Sequence, residues 1–145
     1  MTMVGADGRE FDWEGMIGRA TGSVDVCKTN HHAGISGMHP EFVKEVRAQV
    51  YLSSVWQAGM VDRKSLSSMC SRELYPGDRV VCFGAIADVR RDTAVAYGND
   101  IAPAGHAVVR VAPGGDTFRL MVLSALDESM TVLYDRDFVS RAVVL

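Results

Sequence analysis

The sequence predicts a single α+β domain in which an antiparallel sheet curls around one long helix. Two observations carry this. Residues 40–58 place apolar side chains around most of a helical circumference, and from Arg79 onward nearly every apolar run is β-branched or alternating and ends in a turn signal.

At 145 residues the chain forms one domain spanning 1–145, with 48% apolar and 23% charged residues, the composition of a globular protein. A net charge of -3 with scattered Lys and Arg offers no general attraction for nucleic acid or an acidic membrane. No apolar run reaches the roughly 20 residues a bilayer span needs. The charged start, with Asp7, Arg9, Glu10 and Asp12, lacks a signal-peptide core, so a cytoplasmic location is expected. Cys27, Cys70 and Cys82 are odd in number and lack CxxC spacing; they read as buried small apolar residues.

Residues 1–12 are short, polar and glycine-containing, and are expected to be a loose lead-in. Trp13 to Cys27 mixes apolar residues with Gly15, Gly18 and Gly22, which suggests a first strand region after a short turn of helix. The spacing predicts a helix from Pro40, suited to the first helical position, to Ala58, with Gly59 ending it. Its polar stripe is Glu45, Gln49, Ser53 and Gln57, so the remainder must be wrapped by other structure. "RVVCFGAIADV", "TAVAY", "HAVVRVA", "TFRLMVLSAL", "MTVLY" and "FVSRAVV" then read as strands.

The stretch "HHAGISGMHPEFVKEVRAQ" is similar to a pattern of the β-hydroxyacyl-acyl-carrier-protein dehydratases, G-H-F-P-G-x-P-x-x-P-G-V-L-x-x-E-x-x-A-Q. His31 matches the histidine, Gly34 the glycine three residues on, Glu45 the glutamate fourteen residues on, and Ala48-Gln49 the Ala-Gln. "RELYPGDRV" supplies Arg72, Pro76, Gly77 and Asp78 at the spacing of the family's Arg-Pro-x-x-Pro-Gly-Asp turn. Pro40 stands where the family keeps a glycine, and a proline has no N–H to give a substrate carbonyl. The resemblance covers roughly residues 25–92 and implies a hot-dog fold, an antiparallel sheet wrapped around a long central helix.

The resemblance further implies a dehydratase acting on β-hydroxyacyl thioesters of acyl carrier protein or coenzyme A, in a homodimer or higher homo-oligomer, without cofactor. The catalytic pair is His31 (or His32) as base and Glu45 as acid, because water removal needs a group to take the α-proton and one to protonate the departing hydroxyl. Substrate contacts are expected from Gly34, Gly37, Met38, Glu41, Phe42 and Gln49, with the Gly34 or Glu41 amide at the carbonyl and Trp56 along the acyl channel. Arg72, Arg79 and Arg90 are candidates for a basic rim, or solvated surface charges. Thioesterase chemistry on Glu45 and non-catalytic ligand binding on the same fold are the rival readings. Cys27, His31, His32 and His39 fit no zinc spacing, so no metal is expected.

Overall fold

A computed structural model describes residues 2–4, 10–84, 96–126 and 128–141. Helix α1 (Trp13–Thr21) is capped by Asp12, whose side chain accepts from the Gly15 N–H. Strand β3 (Val26–Lys28) leads through a one-turn segment at Asn30–Ala33 into α2 (Pro40–Val46), and β4 (Val50–Leu52) follows. Helix α3 (Arg63–Cys70) precedes β5 (Val80–Cys82). Strands β6 (His106–Val111), β7 (Thr117–Leu123) and β8 (Val132–Val139) complete the order. At the start, β1 (Thr2–Val4) pairs antiparallel with β2 (Glu10–Asp12), so the expected loose lead-in carries a short strand pair.

Strands β3, β4 and β5 form a parallel sheet in that order, and β6, β7 and β8 an antiparallel one. Parallel neighbours cannot be joined by a tight hairpin, which is why α2 and α3 sit in the connections between them. Strands β4 and β5 are covered on both faces and their side chains alternate between two cores, while β3 at the edge leaves Lys28 exposed. Tyr51 and Val81 point into a core shared with Met38, Phe42, Val43, Val46, Leu66 and Met69 from the helical side. Val50, Val80 and Cys82 point the other way, onto Phe118, Leu120, Val122 and Phe138 of the antiparallel sheet. The layers are therefore helices, parallel sheet, antiparallel sheet.

The chain is α+β, but the helix predicted over 40–58 stops at Val46, where Arg47 turns left-handed (φ 45°) and the chain re-enters as β4. Apolar side chains on every face of that stretch reflect a short helix joined to a strand buried on both sides. The three described α-helices have nine, seven and eight residues, so the long central helix of a hot-dog fold is not among the described elements. Residues 13–21, expected to lead into a strand, are helical. Helix α3 lies between the predicted helix and the predicted strands; its Asp62 N-cap, accepting from Lys64 and Ser65, is the signal that marks it. "MTVLY" and the start of "FVSRAVV" merge into β8, whereas most of "TAVAY", the end of "RVVCFGAIADV" and Arg90 lie outside the described residues.

Candidate functional site

In sheets built from parallel strands and helical crossovers, ligands gather beyond the carboxyl ends of the strands, where the loops are free of sheet hydrogen bonding. Here those ends are Lys28, Leu52 and Cys82. Just past them Thr29 Oγ1 donates to Ser53 Oγ at 3.0 Å, a buried hydroxyl pair joining the exits of β3 and β4. The Ser53 N–H bonds the Cys82 carbonyl at 2.8 Å, tying in β5.

The loop after β3 has the least ordinary backbone among the described residues. His31, His32 and Ala33 have φ of 45°, 55° and 58°, three successive non-glycine residues in the left-handed region, and Met38 follows at 56°. Each such residue costs on the order of 1 kcal/mol, so the surroundings must enforce the conformation. His31 Nδ1 lies 2.7 Å from Ser36 Oγ, and His32 Nδ1 lies 2.7 Å from the Ser54 carbonyl oxygen. Because that carbonyl only accepts, His32 Nδ1 carries a proton. The His32 ring also meets Trp56 edge-on, with centroids 4.8 Å apart. Ala33 is fully buried, and its carbonyl accepts from the Asp62 N–H at 2.9 Å.

Beneath the loop, Ser65 Oγ reaches the carbonyls of Gly34 and Gly37, at 2.9 and 2.6 Å. Gly37 is needed for space, since a Cβ there would run into the Asn30 carbonyl. From the other side comes Glu14 of α1, only 5% exposed, which accepts from the Asn30 side chain and from the Met38 and His39 N–H groups. It can lie this deep because Gly15 and Gly18 let α2 close on α1; a Cβ at Gly18 would stand 3.2 Å from the Phe42 Cα.

Two hollows flank these loops. One of about 260 Å³ opens at the ends of β4 and β5 and is lined by Ser53, Ser54, Cys82, Gly84, Gly105 and His106 among others. The other, about 680 Å³, runs between residues 35–40 and α3, with Ser36, His39, Lys64 and Ser67 along it. Neither lining includes a carboxylate among the described residues, and burial pushes the Cys82 thiol up to about 12, so it is an inert wall at neutral pH.

The residues expected from sequence are distributed as follows. His31 and His32 lie on the loop, exposed and half-buried respectively. Glu45 is half-buried where α2 packs on α1 beside Gly18, and among the described residues no hydrogen bond or ion pair links it to either histidine. Gly34 and Gly37 shape the loop through the bonds to Ser65. Met38 and Phe42 are core residues, and Glu41 faces Gly15 of α1. Gln49 is not on a polar helix stripe; its amide bonds Asp25 and the Val139 carbonyl, each at 2.9 Å. Arg79 is buried and donates to the carbonyls of Met69, Ser71, Tyr75 and Gly77, so it is no part of a basic rim, and Arg72 is taken by Asp100. Among the described residues no group of three or more His, Cys, Asp or Glu is placed to hold a metal ion, and no helix is long and apolar enough to cross a membrane.

Sequence reasoning missed Glu14 and Ser54, and set Ser53 on a helix stripe, whereas it stands just past the end of β4. The signal for Glu14 was the glycine face of its own helix: Gly15 and Gly18 mark the side on which another element approaches, and Glu14 lies next to it. Compared with known proteins, the chain matches no family model, no curated protein and no solved structure.

Proposed function

We propose that this domain binds an anionic small molecule carrying a planar ring, of the nucleotide class, at the carboxyl ends of β3, β4 and β5. The observation that supports it is a concentration of residues: His31 and His32 stand on the loop after β3, His39 lines one of the two hollows beside it and His106 the other, and Trp56 lies beside His32; among the described residues neither lining includes a carboxylate, the nearest partner of His39 being Asp12 at 3.4 Å. Trp56 is 64% exposed, an indole available for a ring to stack on. Lys64 and the Ser67 hydroxyl, together along the hollow beside α3, suit phosphate oxygens.

Isothermal titration of the full chain with AMP and ADP tests this reading, with amide and indole N–H shifts recorded alongside. Saturable binding that moves the Trp56 indole and the residue 31–36 amides is expected. No heat at millimolar nucleotide, or shifts confined to other parts of the chain, would remove it.

A second reading keeps the dehydratase chemistry and hot-dog arrangement of the resemblance, with His31 as base and Glu45 as acid on a carrier-bound or coenzyme A thioester in a homo-oligomer. It is favoured by His31 being exposed on the loop that leads into the helix bearing Glu45. Hydration of an enoyl-coenzyme A, lost in His31→Ala and in Glu45→Gln, is the outcome it requires; absence of turnover, or turnover that survives both changes, sinks it.

A further inference from the structure

We infer that Glu14 is the positioning residue of the carboxyl-end site: its carboxylate, reaching in from α1, sets the shape of the loop that carries His31 and His32. The inference rests on the binding reading above for its functional meaning, though not for its geometry. Oε1 accepts from Asn30 Nδ2 at 2.9 Å and from the Met38 N–H at 3.3 Å, while Oε2 accepts from the His39 N–H at 2.6 Å. Three donors from the two ends of one loop thus converge on one side chain, and both oxygens act only as acceptors, the role of a carboxylate. Asn30 immediately precedes the left-handed turn, and Met38 is the next left-handed residue after it, so Glu14 fixes the loop on each side of its strained part. No cation is hydrogen-bonded to Glu14 among the described residues, so the loop amides themselves are its compensation for burial.

A glutamine has the same shape but can offer an acceptor at only one of its two terminal atoms. Whichever way it turns in Glu14→Gln, an NH₂ faces an N–H donor. Hydrogen exchange of the full chain reads the consequence amide by amide. Glu14→Gln is expected to speed exchange at Met38 and His39 by about 10- to 100-fold, with the Val50 and Val80 amides of the parallel sheet unchanged, and to weaken AMP binding. Exchange at Met38 and His39 within about twofold of wild type would overturn the assignment, as would a uniform rise that includes Val50 and Val80, the mark of a merely global loss of stability. Should Glu14→Gln fail to fold, Asn30→Ala removes one donor and keeps the carboxylate. It is expected to speed exchange at Gly34, whose N–H bonds the His31 carbonyl at 2.8 Å, by about tenfold, and an unchanged Gly34 would overturn the assignment. If wild type binds no nucleotide while these amides respond as stated, the binding reading falls and the loop-setting role of Glu14 stands.

Discussion

His32 and Trp56, on the loops after β3 and β4, meet edge to face with ring centroids 4.8 Å apart and an interplanar angle of 76°. Trp56 is 64% exposed, and the histidine is held by its Nδ1 bond to the Ser54 carbonyl. Trp56→Ala is therefore expected to cost about 1–3 kcal/mol of AMP binding while leaving the unfolding midpoint in urea within experimental scatter, because an exposed ring contributes little to the core. Titration calorimetry and urea unfolding of the same preparation separate the two effects.

Gly37→Ala places a methyl group against the Asn30 carbonyl and should destabilise by about 1–3 kcal/mol, with the change in backbone shifts centred on residues 30–38. Weaker nucleotide binding should accompany it. An unperturbed loop in this variant would mean that the close approach of residues 30 and 37 is not required.

Arg79, 1% exposed, spreads its guanidinium over the carbonyls of Met69, Ser71, Tyr75 and Gly77 and stacks 3.8 Å above the Tyr75 ring. Arg79→Ala should lose about 3 kcal/mol or more, because several buried carbonyls lose their donor together. Arg79→Lys should recover less than half, since an ammonium has neither the planar fork nor the stacking face. Chemical denaturation gives both values.

Asp25 ties the end of β8 to the parallel sheet by accepting from Gln49, from Ser140 Oγ and from the Arg141 N–H. Burial works against its charge, but the bonds from Ser140, Arg141 and Gln49, with the Arg141 guanidinium, outweigh that and hold its carboxyl below the usual carboxylate range. A carboxyl lowered by folding stabilises the protein above its unfolded value, about 3.9, and that contribution fades as pH falls through the folded value. Asp25→Ala should be less stable by about 2 kcal/mol at pH 7, with the gap narrowing below about pH 4. Urea midpoints of both proteins across pH 3–7 check the slope; a constant gap would contradict it.

Much was legible from local chemistry. The α+β class, a helix beginning at Pro40, the break at Pro76-Gly77-Asp78 before a buried strand, and the strands at 106–111 and 117–123 all follow from patterns that act within a few residues. The end of the helix at Val46 was not legible. "AQVYLSSVW" is apolar enough for a buried helix or for a strand covered on both faces, and periodicity cannot separate them in so short a run.

By itself, the sequence determined the composition of the loop Thr29–His39 and its junction with a helix, because glycines and a proline act locally. Only the tertiary structure decided what surrounds that loop. Parallel pairing of β3 with β4 brings Ser54 and Trp56 to His32, more than twenty residues away, and the glycine face of α1 carries Glu14 in to Met38 and His39. The physical reason is that a left-handed run of non-glycine residues is unfavourable on its own, and persists where remote partners hold both of its ends.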